Sequence, residues 1–486
     1  MATIYYGAVL LVSMYCLADW RRGLYLCLII DAIRDPLRKM TEGHPVAMTV
    51  IGVAPWGAIF LGALIKERAA AAGLWRRYPM VRNMVYCLLC ALVPAGVLAS
   101  ILYRSGYLLA AVGSASYLVP LLGMTVGYLL ARSEKDVLSL LRFYVLVNAI
   151  MLISVPLEYL KFDVPALGGI DVVWVRYHGN SVVALMCGWY RSPDVMGMHA
   201  AHVLLFSGIL LLRSATPTTR TAYGLIGLWS TVGLLLCGRR KMIGMPIIFV
   251  VTYVLLCQWR GISKASGKLV GLVCVCLILA TGLLMTQEEA EQGNEYTDYA
   301  MTLVTESSER ANKTFIGHTA TTLRQAGILG NGLGSATQGR HYLGIKTTAD
   351  ARGWQEDGLS RLFAELGIPG VIFVVVAGVQ ALLSLVYALK LIPPHHPAQT
   401  LQIGLLGTIA ADLVSYMFSH QLFSGDPASA ILVTVMFGAV LGAPRIYAQS
   451  MQQAAAARNV RPRSRFPSAA SRGLGQRPPL PEGRRG

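Results

Sequence analysis

Uninterrupted apolar runs organise this chain. Segments such as 107–131, 138–160 and 371–389 each hold close to or more than the roughly 20 apolar residues that a helix needs to cross a bilayer. They show no two-residue alternation, and in lipid every backbone N–H and C=O must be paired within the segment, so the pattern predicts helices rather than strands. About twelve spans are expected, near 3–18, 45–65, 84–103, 107–131, 138–160, 195–212, 222–238, 242–258, 267–285, 365–389, 400–418 and 426–443. The predicted fold class is therefore all-α, a polytopic membrane protein. Four regions follow: membrane helices over 1–285, a long polar loop over 286–361, further membrane helices over 362–446, and a tail over 447–486. Residues 1–18 lack a basic leader, which argues against a cleaved signal peptide.

Composition supports this division. Hydrophobic residues make up 55% and charged residues only 14% of the 486 residues, against about 25% charged in ordinary soluble proteins. Mean hydropathy is +0.54. Almost all nine cysteines fall inside apolar runs. Cys87 and Cys90 have metal-motif spacing but no second pair, so they read as buried thiols. No Walker loop, no His-Glu-x-x-His and no internal repeat is present.

The net charge of +17 is concentrated in connections and in the tail. After Tyr447 eight arginines face one acid, Glu482, in a Pro-, Ser- and Ala-rich stretch that is expected to be disordered. A basic tail beside anionic lipid is favoured over a nucleic-acid partner. Basic residues at 66–82, 132–135, 213–220 and 260–264 alternate with the spans so as to fall on one side, which the positive-inside rule makes cytoplasmic, with both termini there. Residues 19–44 resist this count. They carry Arg21, Arg22, Arg34, Arg38 and Lys39, and the short apolar stretch 23–33 suggests a re-entrant or interfacial hairpin.

Two polar connections lie on the opposite, outer side. The longer holds ten of the chain's 25 acidic residues. It is expected to contain a helical stretch over 299–325 that ends in a flexible Gly330-Asn331-Gly332-Leu333-Gly334 turn. Arg239, Arg240 and Lys241 sit at an outer turn between spans, against the usual charge bias. They suit a phosphate or pyrophosphate clamp, a lipid-headgroup anchor, or a partner for the acidic loop. The shorter outer connection, 161–194, offers Arg176, His178, Arg191 and Asp194, of which Asp194 is equally a helix cap. The end of the long loop offers Arg324, Arg340, His341, Glu356, Asp357 and Arg361. Glu356 and Asp357 fit a general base, or a solvated residue and a helix cap. His199, His202 and Asp412 are ionisable groups within spans, either functional or bonded to neighbouring helices.

Three stretches resemble the O-antigen ligase and Wzy-type polysaccharide polymerase family. They are Gly188-Trp189-Tyr190-Arg191-Ser192-Pro193-Asp194-Val195-Met196-Gly197, Leu235-Leu236-Cys237-Gly238-Arg239-Arg240, and Gly330-Asn331-Gly332-Leu333-Gly334 followed by 357–370 with its Glu365, Gly367 and Gly370. The similar region covers about 185–390. The resemblance implies a GT-C-like, all-helical glycosyltransferase of the bacterial inner membrane. It would act at the periplasmic face on undecaprenyl-pyrophosphate-linked oligosaccharide, pass it to a growing glycan acceptor, and need no metal or other cofactor. It further implies Arg239, Arg240, Arg191 and Arg176 as contacts to the donor pyrophosphate. Glu356, Asp357 and His341 become the catalytic candidates, and Arg324, Arg340 and Arg361 further substrate contacts. Membrane lipids, a flippase and a chain-length regulator are the implied partners. Glu356-Asp357 stands where ligases place His and a small polar residue, so a polymerase is favoured over a ligase. A transporter of lipid-linked sugar, which would show repeat symmetry, and a non-enzymatic assembly protein are the alternatives.

Overall fold

The computed structural model describes residues 1–170, 172–178, 181–262, 312–345, 357–420 and 426–460, with scattered positions between 267 and 278 and at 309 and 423. The chain divides into two units, Met1–Tyr447 and Ala448–Gly486. The first is a helical bundle built from α1 (Ala2–Ala18), α2 (Trp20–Lys39), α3 (Ala47–Ile51), α4 (Ala54–Arg77), α5 (Pro79–Leu102), α6 (Gly106–Leu118), α7 (Leu121–Leu130), α8 (Glu134–Met151) and α9 (Ser154–Tyr159). A small antiparallel hairpin follows, β1 (Val175–His178) and β2 (Ser181–Ala184), with Val175 opposite Ala184. Then come α10 (Pro193–Arg213), α11 (Pro217–Leu236), α12 (Arg240–Trp259), a π-helical turn Lys313–His318, α13 (Thr319–Ala326), a 3₁₀ turn Gln338–Leu343, α14 (Gly358–Lys390), α15 (Pro397–Phe418) and α16 (Pro427–Val460). The last helix continues past Tyr447 into the segment expected to be disordered; the tail beyond 460 lies outside the described residues.

Nine helices among the described residues are long and apolar enough to cross a membrane. They coincide with the expected runs, α3–α4, α6–α7 and α8–α9 each acting as one span. The chain is thus an all-α, polytopic membrane protein. Among the nine, α10 is the most enclosed, with 83% of its apolar window buried, whereas α5 has only 22% buried and turns its apolar side outward. Cys90 lies on that outward side and Cys87 is half-buried, so this pair is not the enclosed thiol pair expected. The helix starts are set locally. Ser133, Ser192, Thr216 and Asp357 each accept a hydrogen bond from a first-turn N–H, and Pro193 and Pro217 open their helices. The apolar run at 267–285 falls almost wholly outside the described residues.

Side-chain contacts sort the connections into two ends. At one end Arg21 meets Glu67 at 3.2 Å, Arg132 meets the same carboxylate at 2.6 Å, and Arg445 Nη1 donates to the Tyr128 carbonyl at 3.0 Å. Arg213 pairs there with Glu134, and Arg260 Nη2 donates to the Ile392 carbonyl at 2.6 Å. At the other end Lys39 donates to the carbonyls of Ala166, Gly168 and Gly188, and Met186 N–H donates to the Leu236 carbonyl at 3.2 Å. We call these the Arg132 end and the Arg239 end.

Residues 19–44 do not form the re-entrant or interfacial hairpin expected from their sequence. α2 is a full 20-residue helix that carries Arg21 at the Arg132 end and Lys39 at the Arg239 end, so it traverses the bundle. It is no short hairpin. Its partner α1 ends at Ala18, whose carbonyl accepts from Lys66, and begins beside Met48 at the Arg239 end. The start of α1 and Arg445 in α16 are therefore at opposite ends, not at the same end as expected.

Candidate functional site

Among the described residues, three polar assemblies lie toward the Arg239 end. The first is the turn between α11 and α12. Gly238 adopts a positive φ of 57°, and the chain then enters α12 with Arg239 in the capping position and no side-chain cap for the first N–H groups. Arg239 Nη2 lies 3.2 Å from Asp194 Oδ2, and Lys241 Nζ lies 2.7 Å from Asp194 Oδ1. The Arg239 guanidinium stands 5.2 Å from the centroid of the Trp174 ring. Arg176, exposed on β1, acts on the same carboxylate electrostatically. Two cations thus pair with one carboxylate, under the electrostatic influence of a third, at a point where α10 and α12 both begin. Of the two readings left open for Asp194, it is the counter-ion and not the cap; the cap of α10 is Ser192. Arg240 is half-buried at the first position of α12.

The second assembly was not anticipated. Arg34, 4% exposed, is ringed by carboxylates. Its Nη1 and Nη2 reach Asp426 Oδ1 and Oδ2 at 3.3 Å each, its Nε reaches Asp35 Oδ1 at 3.2 Å, and Nη1 lies 3.6 Å from Asp31. Asp35 Oδ2 also accepts the Arg191 backbone N–H at 3.2 Å, and Ser429 donates to Asp426 at 3.0 Å. Trp56 Nε1–H donates to Asp31 Oδ2 at 2.9 Å. Burial alone would raise the Asp426 carboxyl, but Arg34 and Arg191 outweigh it and hold the group well below the ordinary carboxylate range. These groups, with Tyr144, Asn148, Tyr190 and His199, line a cavity with about 40 Å³ of free space. From His199 a hydrogen-bonded chain runs inward. The Tyr144 hydroxyl lies 2.6 Å from His199 Nδ1 and 3.3 Å from His202 Nδ1, and His202 Nε2 lies 2.8 Å from Asp412 Oδ1.

The third assembly holds the end of the long loop against α5, α6 and α14. Glu365, fully buried, accepts hydrogen bonds from the Tyr117 hydroxyl at 2.9 Å, the Thr337 hydroxyl at 2.8 Å and Ala336 N–H at 3.2 Å, and pairs with Arg361 at 3.5 Å. Arg361 also donates to Ser116 at 2.6 Å and Thr337 at 3.0 Å. α14 is broken at Gly367 (φ 64°), and the freed Ile368 N–H donates to the Ile328 carbonyl at 2.8 Å. The glycine turn expected to be flexible is a tight clasp. Gly330, Gly332 and Gly334 all have positive φ, and a Cβ on Gly332 would stand 2.6 Å from Ala99 N. Asn331 N–H donates to Ala364 at 2.7 Å and Leu333 N–H to Ala95 at 2.9 Å.

The chain matches no protein-family model and no curated protein.

The structure therefore brings Arg176, Asp194, Arg239 and Lys241 together, and ties Arg191 to the Asp35 cavity through its backbone. It places Arg340 and Arg361 in the buried loop clasp, where Arg340 donates to the Ser335 carbonyl. Arg324 is exposed near the end of α13. Asp357 caps α14 through Ser360 N–H at 2.7 Å and lies 3.3 Å from His318 Nδ1. Glu356 and the side chain of His341 lie outside the described residues. Asp31, Arg34, Asp35 and Asp426 are the polar groups that sequence reasoning missed as a set. The signal for them was three charges within one helical turn and a half of an otherwise apolar segment. Among the described residues, no three His, Cys, Asp or Glu side chains are arranged to hold a metal ion.

Proposed function

We propose that this chain is a membrane glycosyltransferase that joins oligosaccharide repeat units carried on undecaprenyl pyrophosphate into a surface polysaccharide. One observation carries the reading. Arg239 and Lys241 both pair with a single carboxylate, and Arg176 acts on it electrostatically, leaving net positive charge beside two helix starts. Helix N-termini and guanidinium groups both favour bound phosphate. A pyrophosphate that docks here would compete with Asp194 for the cations, and its charge as leaving group would be stabilised in place. Trp174, already against the Arg239 guanidinium, gives the cluster an apolar flank suited to the start of a polyprenyl chain.

By the positive-inside rule the Arg132 end, with Arg21, Arg22, Lys66, Arg68, Arg76, Arg77, Arg82, Arg132 and Arg213, is cytoplasmic. The cation cluster and the loop then face the periplasm of a bacterial inner membrane. α1, α2 and α11 add crossings to the nine long apolar helices of the described residues, in a GT-C-like bundle. The start of α1, at the Arg239 end, then lies outside.

The test is the Arg239→Ala/Lys241→Ala double variant in cells, with membrane insertion checked. Single repeat units should accumulate on the lipid carrier while long polymer falls at least tenfold. Full-length polymer from a correctly inserted variant would sink the reading. Polymer that still forms but is no longer attached to its final acceptor would assign the chain as a ligase. A transporter is the second reading, and the buried His199–Tyr144–His202–Asp412 chain favours it, since ionisable chains inside membranes mark proton routes.

A further inference from the structure

We propose that the cavity between α2, α4, α8, α10 and the start of α16 is the acceptor subsite, that it takes a hydroxyl-bearing edge of a saccharide, and that Asp31 accepts the proton of that hydroxyl. The proposal rests on the glycosyltransferase reading.

Position comes first. Arg191 N–H donates to Asp35 at the cavity, and Asp194 of the cation cluster lies three residues further on, across the Ser192 cap of α10. The cavity and the proposed pyrophosphate site therefore flank one helix start. A donor held by Arg239 and an acceptor held in the cavity would meet there.

The three carboxylates differ in what they have left to offer. Asp426 is gripped at both oxygens by Arg34 and also by Ser429. Asp35 is held by Arg34 on one oxygen and by Arg191 N–H on the other. Asp31 is oriented by Trp56 on Oδ2, while its Oδ1 accepts no hydrogen bond among the described residues and has Arg34 only as an ion-pair neighbour at 3.6 Å. A general base needs this combination, one oxygen fixed by a donor and the other still able to take a proton. The paired acids keep the surroundings anionic. By contrast Asp357, one of the candidate bases expected from the sequence, has one oxygen committed to capping α14 and the other beside His318.

The lining suits a sugar edge. Tyr190, Tyr144 and Trp56 provide apolar faces, and Asn148 and Ser429 provide polar groups. The free space of about 40 Å³ has room for about three waters at 10–15 Å³ each. That admits a hydroxyl or hydroxymethyl group in place of water, with the rest of the ring outward. In the step itself the acceptor O–H bond breaks and its proton passes to Asp31. The oxygen bonds to the anomeric carbon of the donor. The bond from that carbon to the pyrophosphate oxygen breaks, and the electron pair leaves with the pyrophosphate.

The experiment uses the full chain in lipid nanodiscs, with lipid-linked repeat units extracted from cells as donor. Asp31→Asn keeps an acceptor for Trp56 and removes the base. It should retain donor binding but lose polymer formation by about 100-fold or more. The acidic limb of the rate–pH profile should vanish, and Asp31→Glu should regain part of the rate. Asp31→Asn that polymerises within threefold of wild type, with an unchanged profile, overturns the proposal. A panel of methyl glycosides, titrated against indole fluorescence, supplies an independent readout. Saturable binding that is lost in Asp31→Asn and Trp56→Phe but kept in Arg239→Ala/Lys241→Ala supports the subsite, and no saturable binding overturns it. If wild type makes no polymer and Arg239→Ala/Lys241→Ala binds donor as well as wild type, the glycosyltransferase reading has failed, and the glycoside titration alone decides the cavity.

Discussion

Arg34 shows how far one residue's role can lie from its sequence neighbours. A buried guanidinium is tolerable only when carboxylates surround it and its donors are satisfied. Two of its partners, Asp31 and Asp35, are within one turn, and a reader of the sequence sees them. The third, Asp426, is 392 residues away, so nothing local reveals it. The consequence for stability has a definite sign. The Asp426 carboxyl is held below its ordinary range, so its contribution is fully present above the unfolded-state pKa of about 3.9 and is lost as pH falls through lower values. Asp426→Asn should destabilise the protein in detergent by about 1.5–3 kcal/mol near neutrality, the scale of hydrogen bonds to charged groups. The gap in melting temperature between wild type and Asp426→Asn should stay constant above about pH 5 and shrink below about pH 4. A gap that instead widens in acid would show that the Arg34–Asp426 pair does not stabilise the fold.

At the scale of elements, the apolar spans were legible because each needs only its own composition to be recognised. α10 and α12 begin and end within a turn or so of where hydropathy places them. α2 was not legible, because Asp31, Arg34 and Asp35 lower its hydropathy, and only its tertiary partners, Asp426 at the start of α16 and Trp56 on α4, make those charges tolerable in a traversing helix. The glycine turn was misread for a related reason. Glycine marks either freedom or close approach, and the chain alone does not say which. Here it is close approach, and the motif that suggested a family is in large part the joint that fastens the loop to α5, α6 and α14. Gly332→Ala should therefore cost about 2 kcal/mol or more, from the left-handed backbone together with the clash at Ala99. Glu365→Gln should cost more, about 3–5 kcal/mol, because it leaves Arg361 buried without its counter-charge. Both are measurable as losses of thermal stability in detergent. In limited proteolysis the two variants should also be cut within 327–345, where wild type resists. Variants that melt like wild type and resist cleavage there would show that the clasp is not what holds this part of the loop.

For the whole molecule, the decisive quantity is the number of crossings before the first basic connection. Counting only the obvious apolar runs puts residues 19–44 on one side and both termini together. Adding α2 separates Arg22 from Glu42, and it lets every contact at the Arg132 end and every contact at the Arg239 end agree with one alternating path. The orientation also decides the chemistry proposed above, since a polyprenyl-pyrophosphate donor and its acceptor must both reach the Arg239 end. Single cysteines on a cysteine-free background test this directly. Arg22, exposed with 79% of its side chain accessible, and Arg220 mark the Arg132 end; Glu42 marks the other. In intact spheroplasts a membrane-impermeant maleimide should label Glu42→Cys at once, and Arg22→Cys and Arg220→Cys only after permeabilisation. Labelling of Arg22→Cys and Glu42→Cys from the same side would mean that α2 does not cross. The cavity at Asp31 would then belong to an interfacial helix, and acceptor and donor would have no common end at which to meet. Labelling of Arg22→Cys and Arg220→Cys but not Glu42→Cys in intact spheroplasts would keep the fold and invert its orientation, turning the cation cluster toward the cytoplasm and away from any polymer assembled outside.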